Sequence, residues 1–430
     1  MGSDVKPLGQ AALIALVVGN MIGSGVFLLP AALAPYGAAS LLGWTLTITG
    51  ALLLATVYAW LARTIRNHGG AYGYARRAFG DGVGFVVAWS YWVCTWSANA
   101  AIAVAFAGSL GAVWPAATAT PVRAAACALG ALWACTAVNL AGVREAARVQ
   151  MLTTLLKLVP LVLFGLIGLG WVHAAAYRPF NPSGLPLFGV ATSVAALTLW
   201  AMLGFEAATV PTGVVRDPER TVPRATVIGM LVAGLATMLA CTVVIGLLPI
   251  GELQRSAAPM VAAAARTWGP AAGFALALVA TVSCFGALNG WVLLQAQTPL
   301  AAAQDGLFPR RFGRLDARGT PAFGLLLSSS LASALIVANY SRTLVALFTF
   351  SILLSTATTL LPYVVSVLAW WRVEPGARWP RRLVAAGALA YALWALAGTG
   401  TESLLWAGVL VALGVPVLLW QRRPRLARKP

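Results

Sequence analysis

Long apolar runs follow one another along almost the whole chain, and short polar segments separate them. A run of roughly 18 or more apolar residues is long enough to cross a bilayer as a helix. The pattern therefore predicts an all-α polytopic membrane protein with about twelve transmembrane helices. The first run has no signal-peptide cleavage site, so we expect it to remain as a span. The predicted spans cover residues 9–33, 38–62, 82–112, 122–141, 149–172, 187–213, 224–248, 268–300, 322–340, 343–370, 381–397 and 402–420.

A stretch of small and polar residues, Gly19–Phe27, interrupts the first apolar run. Each interior glycine costs a helix roughly 1 kcal/mol relative to alanine, so this stretch predicts a broken helix. The free N–H groups of one half suit a carboxylate and the free C=O groups of the other suit an ammonium, as in an amino acid. A close helix–helix contact built on small residues would produce the same pattern. Both interpretations stay open from this stretch alone.

A second interruption, at residues 199–208, falls five spans after the first. Two broken helices at matching positions of two halves indicate an inverted repeat with a site near the midplane. We therefore predict one transmembrane domain, 1–430, in which the two breaks face each other. Its parts would be a first five-span repeat (9–172), a second inverted repeat (187–370), two accessory spans (381–420) and a basic tail (421–430).

The formal charge of +18 at pH 7 does not indicate a nucleic-acid partner, because of how it is distributed. The chain is 60% hydrophobic and 9% charged, and most Lys and Arg residues lie in alternate connecting segments. This distribution follows the positive-inside rule and predicts that both termini are cytoplasmic. The lipid bilayer is the expected surrounding, and no nucleic acid is expected as a partner.

Two charged residues lie inside predicted spans. Glu206 adjoins the second break, and Lys157 lies about half-way along the fifth span. An ionisable residue within a membrane is costly when charged and unpaired, and is a functional candidate by default. Either residue could take part in proton movement or could brace a broken helix. The five cysteines and two histidines have no metal-binding spacing, so we expect neither a metal nor another cofactor.

Two of the seventeen tryptophans differ from the rest by their context. Trp200 adjoins the second break, and Trp291 lies in mid-span after the small residues of Gly286–Gly290. An aromatic face can hold an ammonium or guanidinium group by cation–π attraction. For both residues, a packing role and a binding role stay open.

Four stretches together carry a resemblance to a known family: Gly19–Phe27, Gly69–Arg77, Leu199–Glu206 and Asn289–Trp291. They resemble the amino acid–polyamine–organocation superfamily, and within it the basic amino acid/polyamine antiporter family, over almost the whole chain. The resemblance implies a LeuT-like 5+5 inverted repeat that works by alternating access. It also implies an amino-acid/amine exchanger of the arginine/agmatine type, not an enzyme, in the bacterial inner membrane, with a second copy of the chain as a conceivable partner.

The resemblance also implies roles for individual residues. Substrate contacts are implied for Asn20, Met21, Ser24, Gly25, Cys94, Thr95, Asn99, Trp200, Leu203, Trp291 and Ser355. Backbone N–H groups near Ser24 and Gly25 would hold a carboxylate, and carbonyls of Met21, Trp200 and Leu203 an ammonium. Gating or proton-linked roles are implied for Tyr72, Tyr91, Glu206, Tyr363 and Lys157.

Two departures from the antiporter pattern keep an alternative open. Cys94 and Thr95 differ from the residues expected at the end of the substrate pocket. Lys157 resembles the fifth-span lysine of proton-coupled neutral amino-acid transporters in the same superfamily, and a cation near the site would oppose a dicationic substrate. A proton-coupled neutral amino-acid permease is therefore the alternative. A membrane-embedded transferase would need paired carboxylates, a His–carboxylate pair or a metal cluster, and Glu206 has no such partner in the sequence.

Overall fold

The computed structural model describes residues 10–23, 25–65, 70–142, 158–205 and 218–422, and these residues form α-helices, short 3₁₀ turns and loops without a β-strand. The helices of the first part are α1 (Gln10–Met21), α2 (Gly25–Leu33), α3 (Ser40–Thr64), α4 (Gly70–Phe79), α5 (Asp81–Val113), α6 (Pro121–Ala141), α7 (158–168) and α8 (Leu187–Ala201). Those of the second part are α9 (Pro218–Leu247), α10 (Ile250–Leu253), α11 (Pro259–Trp268), α12 (Pro270–Gln304), α13 (Ala322–Ala338), α14 (Leu344–Val373), α15 (Trp379–Ala397), α16 (Thr401–Ala412) and α17 (Gly414–Arg422).

The prediction of a polytopic helical membrane protein is confirmed. Each of the twelve predicted spans contains one of these helices or a consecutive pair of them. Among the described residues, 7 helical segments are long and apolar enough to cross a membrane, and shorter apolar helices occur at Leu158–Trp171, Leu187–Ala201 and Ala322–Ala338. Helix α12 continues to Gln304, several residues beyond the predicted end of its span, because its last turn remains rich in alanine, the best helix former.

Both predicted interruptions are present. Helix α1 ends at Met21 and α2 begins at Gly25, so the first apolar run is two helices and not one. Helix α8 ends at Ala201, and the next residues form a turn in which Gly204 has a φ of 104°. Helix α2 packs against α8, which brings the two interruptions together in space. The two breaks, which lie five predicted spans apart in the sequence, are therefore neighbours in the fold.

Helix α5 lies at the centre of the bundle. It packs mainly against α12 and α14, and 89% of its most apolar 18-residue window is buried. The corresponding window of Thr401–Gln421 is only 17% buried. A helix that is apolar on all sides lies either in a protein interior or against lipid. Helix α5 is the first case, and the segment Thr401–Gln421 is the second. The residues of α5 that face α12 and α14 are thus shielded from lipid.

Most of the stretch Gly69–Arg77, one of the four that carry the family resemblance, forms the short helix α4. It packs against α5 and α14 with Tyr72 and Tyr74 buried, while Arg77 is exposed. By the predicted orientation, α4 lies on the cytoplasmic side. It therefore covers that end of the central helices α5 and α14.

Candidate functional site

The two helix breaks meet at Gly25 and Trp200. Gly25 is the first residue of α2, and a Cβ atom built on it would overlap the six-membered ring of Trp200 at the end of α8. The Trp200 ring system also contacts Phe348 of α14 edge to face, with centroids 5.5 Å apart. The indole is 8% exposed. Gly25 therefore allows an aromatic ring to lie directly on the unwound backbone.

The backbone around the breaks supplies polar groups in a buried environment. Just after the end of α1, Ile22 N donates to Val18 O at 2.8 Å. In the second break, Leu203 N donates to Trp200 O at 3.2 Å, so this carbonyl already has one partner. A carbonyl oxygen has two lone pairs and can accept a second donor. The predicted use of the Trp200 carbonyl by an ammonium is compatible with this geometry.

Trp291 lies beside the first break. A Cβ atom built on Gly23 would lie 3.2 Å from Cβ of Ala287 on α12, so the break packs closely on that helix. Trp291 follows Ala287 by four residues and shares its face of α12. Its side chain is 6% exposed. The aromatic face predicted to hold a substrate cation is therefore one helical turn from the unwound backbone.

Three predicted pocket residues lie together on α5 and α14: Cys94 contacts Ser355, and Thr95 is the next residue after Cys94. Cys94 Sγ and Ser355 Oγ lie 3.3 Å apart, and Ser355 Oγ also donates to the Cys94 carbonyl at 3.3 Å. Thr359 Oγ1 donates to Cys94 Sγ at 2.6 Å. The hydroxyl of Thr95 donates to Trp92 O of its own helix at 2.7 Å, so it can offer a ligand only an acceptor. None of the five cysteines, all of which lie in the described part of the chain, forms a disulfide bond.

Asn99 is completely buried on α5. Its Nδ2 donates to Oε1 of Gln295 at 2.7 Å, whereas its Oδ1 has no hydrogen-bond partner among the residues that the structure describes. An unpaired buried carbonyl costs about 1–3 kcal/mol. The arrangement leaves an acceptor in the interior, one turn along α5 from Thr95, and an acceptor suits a ligand that carries N–H groups.

A cluster of aromatic rings lies directly after the second break. Phe205 contacts Tyr363 with ring centroids 5.4 Å apart, and Tyr58 of α3 contacts both rings edge to face, at 5.6 and 5.5 Å. Ser366 Oγ donates to the Tyr58 hydroxyl at 3.1 Å. The cluster packs the predicted gating residue Tyr363 of α14 against Tyr58 of α3 and against Phe205. Tyr91, a further predicted gating residue, is half-buried on α5.

On the predicted cytoplasmic side, Tyr72 connects α4 to the end of α12. Its hydroxyl donates to Oδ2 of Asp305 at 3.1 Å. Arg76 lies between two carboxylates, 2.7 Å from Asp81 and 3.5 Å from Asp305. Burial, and then the charge of Asp305, raise the pKa of Tyr72, and the hydrogen bond to Asp81 raises the pKa of Arg76. Tyr72 therefore stays protonated, as a donor, throughout the neutral range.

Several predicted site residues lie outside the described part of the chain. These are Ser24, Lys157, Glu206 and the side chain of Asn20. Their roles remain predictions from the sequence.

Sequence reasoning missed five residues that the structure brings to the site. A sequence signal existed for Thr359, one turn after Ser355, for Phe205, directly after the break, and for Gln295, one turn after Trp291. Asp305 and Tyr58 gave no such signal. Asp305 contacts a residue 233 positions away in the sequence, and Tyr58 contacts Phe205 after the second break together with Tyr363 and Ser366 of α14.

Comparison with known proteins places the chain among membrane transporters. A profile of the family described as "Amino acid permease" matches residues 8–420. The chain is 32% identical over 414 residues to the putrescine transporter PotE of Escherichia coli (strain K12), which covers 95% of this chain and 94% of that protein. It is 34% identical over 336 residues to the cadaverine/lysine antiporter of the same strain, covering 78% of this chain and 75% of that protein. A putrescine transporter PotE of Haemophilus influenzae is 29% identical over 421 residues, 96% of this chain and 97% of that protein.

The family match spans nearly the whole chain, and the two helix breaks lie where the resemblance in the sequence predicted them. The chain therefore belongs to the amino acid permease family of the amino acid–polyamine–organocation superfamily.

Proposed function

We propose that this protein is an exchanger of a basic amino acid and a small amine, working by alternating access at the two helix breaks. The observation that carries the proposal is the unpaired carbonyl oxygen of Asn99 inside the bundle, together with the aromatic face of Trp291. An ammonium has three donors and no acceptor, and an aromatic face attracts a cation. Both groups thus suit the distal cation of such a substrate.

The chemistry of the site and the names of the relatives both support this substrate class. One relative is named as a putrescine transporter and another as a cadaverine/lysine antiporter. We therefore extend the arginine/agmatine expectation to basic amino acids and diamines in general. The α-carboxylate and α-ammonium of an amino acid would lie at the breaks around Ser24–Gly25 and at the carbonyls of Met21, Trp200 and Leu203. The distal cation would lie between Trp291 and Asn99, with Cys94, Thr95 and Ser355 near its end.

Gating by the aromatic residues is part of the same proposal. Tyr363, with Phe205 and Tyr58, would close the path below the site, and Tyr91 and Glu206 would complete this closure. Tyr72 would act at the cytoplasmic end. Both termini would lie in the cytoplasm, in keeping with the distribution of Lys and Arg.

A substrate panel in proteoliposomes tests the proposal. Labelled lysine uptake would be measured with unlabelled putrescine, cadaverine, lysine, arginine, agmatine, alanine or leucine as competitor. We expect the compounds with a distal cation to compete and the two neutral amino acids to fail. Competition by alanine or leucine alone, with uptake driven by a pH gradient, would contradict the proposal and favour the neutral permease suggested by Lys157.

A further inference from the structure

A chain of buried hydrogen bonds crosses the middle of the bundle from Asn99 to α6. Asn99 Nδ2 donates to Gln295 Oε1 at 2.7 Å, and Gln295 Nε2 donates to Ser329 Oγ of α13 at 2.8 Å. Ser329 Oγ lies 2.7 Å from Thr136 Oγ1, which donates to Leu132 O at 2.8 Å. All four polar side chains are completely buried. The chain therefore links α5, α12, α13 and α6 without contact with solvent.

The far end of this chain determines its direction. Thr136 has a single hydroxyl proton, which it gives to the carbonyl of Leu132, so Ser329 must be the donor in the contact between the two hydroxyls. Ser329 can then only accept from Gln295. This fixes the side-chain amide of Gln295 with its nitrogen toward Ser329 and its oxygen toward Asn99.

The same logic fixes the amide of Asn99. Because Gln295 presents an oxygen, Asn99 must turn its nitrogen toward Gln295, and in the described part of the chain its own oxygen then has no hydrogen-bond partner. Gln295 is held from a second direction as well, since Ser328 Oγ donates to its backbone carbonyl at 3.3 Å and receives a bond from Trp92 Nε1. Gln295 follows Trp291 by one turn of α12. The hydrogen-bonded pair of Asn99 and Gln295, which carries the Asn99 oxygen, therefore lies next to the aromatic face of Trp291.

We propose that Gln295 is a positioning residue that, through Ser329 and Thr136, makes Asn99 present an acceptor oxygen to the distal ammonium of the substrate. This inference rests on the proposed function. Without the chain, the Asn99 amide could rotate and present its N–H groups, which repel an ammonium and suit a neutral or anionic end. The selectivity for a distal cation would thus be set by a residue that does not itself touch the substrate.

Selectivity between lysine and norleucine measures this effect, because norleucine is lysine without the distal ammonium. Both would be used as competitors of labelled lysine exchange in proteoliposomes, and the ratio of their inhibition constants compared between variants. We expect Gln295→Met, which keeps length but has no polar groups, to reduce the preference for lysine about tenfold. Ser329→Ala should reduce it in the same direction but less, since only the restraint on Gln295 is lost.

Two further variants separate positioning from a general loss of packing. Gln295→Glu, protonated in this buried site, keeps one donor and one acceptor in the same places and should retain the preference for lysine. Asn139→Ala removes another buried hydrogen bond between side-chain amides, in which Asn139 Nδ2 of α6 donates to Asn289 Oδ1 of α12 at 3.0 Å. This variant should leave the ratio of inhibition constants within about twofold of wild type. Its effect should be confined to the melting temperature.

The outcomes distinguish this inference from the proposed function. A wild-type protein that does not prefer lysine to norleucine contradicts both. A wild-type protein that prefers lysine, with Gln295→Met and Ser329→Ala showing the same preference, contradicts the inference alone. An equal loss of lysine and norleucine affinity in these variants, with the ratio unchanged, also contradicts it, because a merely structural role would produce that result.

Discussion

In the proposed function, Trp291 and Asn99 would offer a cation two different attractions, a π face and a carbonyl oxygen, from neighbouring helices. Sequence analysis named both residues: Trp291 stood out by its context in mid-span, and Asn99 was implied only by the family resemblance. It did not single out Gln295, whose importance comes from a partner 196 positions away. In the sequence, a single glutamine within an apolar helix looks the same whether its amide bonds to its own helix or orients the side chain of another helix. Only the folded arrangement of α5, α12 and α13 distinguishes the two.

The role of Trp291 can be tested by changing only its aromatic face. We expect Trp291→Leu to lose lysine affinity far more than Trp291→Phe, since a desolvated cation–π contact contributes up to about 2 kcal/mol, or roughly thirtyfold in affinity. Affinity would be measured by competition in the exchange assay. Trp406→Leu is the control, because Trp406 is 51% exposed on α16 and should have no effect. Equal affinity in both Trp291 variants and wild type would assign this ring to packing.

The contact between Gly25 and Trp200 gives a prediction for stability. Gly25→Ala should destabilise the protein by about 1–3 kcal/mol, because the new methyl group overlaps a buried ring that cannot move freely. Thermal melting in detergent would measure the loss. Gly130→Ala is the matched control: it lies in α6 with nothing within 4 Å of its Cβ position and should stabilise slightly, as alanine favours a helix. A Gly25→Ala protein that melts with wild type would exclude the close contact.

The helix breaks were predictable as elements because glycine, serine and asparagine cannot sustain a helix within an apolar run. The helix ends were less predictable. Helix α12 runs past the predicted end of its span to Gln304, and this extension brings Asp305 within reach of Tyr72 on α4. The resulting contact joins two segments that the sequence presents as unrelated loops. This contact depends on the residue at which α12 ends. Local helix propensity predicts such an end only to within a few residues.

The Tyr72–Asp305 hydrogen bond should couple α4 to α12. Tyr72→Phe and Asp305→Asn should each lower the melting temperature, and the double variant should cost less than the sum of the two, because both remove one interaction. A hydrogen bond to a charged group contributes about 1.5–3 kcal/mol. Tyr340→Phe is the control, because Tyr340 is an exposed tyrosine just after the C-terminal end of α13. Strict additivity of the two variants would exclude the coupling.

This bond should not be the pH sensor of transport. The pKa of Tyr72 is raised from its ordinary value of 10, so its contribution is fully present below that value and is lost only as the pH rises above it. The exchange rate of Tyr72→Phe should therefore keep the wild-type pH profile between about pH 5 and 8. A profile that flattens in this variant would contradict the assignment.

For the whole molecule, the sequence sufficed for the twelve-span topology, since hydropathy and glycine breaks act locally in lipid. It also led to Glu206 and Lys157, whose roles remain sequence predictions. We expect Glu206→Gln to fold and to flatten the pH dependence of exchange, while Lys157→Ala retains exchange of basic substrates. If the substrate is neutral, Lys157→Ala should instead abolish proton-linked uptake and Glu206→Gln should be milder. Unchanged pH profiles in both variants would exclude proton sensing by either residue.

The most direct test is uptake of labelled lysine into liposomes loaded with cadaverine, compared with empty liposomes at the same pH and clamped membrane potential. An exchanger should take up lysine about tenfold faster into the loaded liposomes. Lysine carries one net positive charge and cadaverine two, so each exchange moves one positive charge out of the liposome. An inside-positive potential should therefore accelerate lysine uptake, because it adds up to about 2.3 kcal/mol of driving force per 100 mV. Equal uptake into loaded and empty liposomes would contradict exchange of a basic amino acid for an amine.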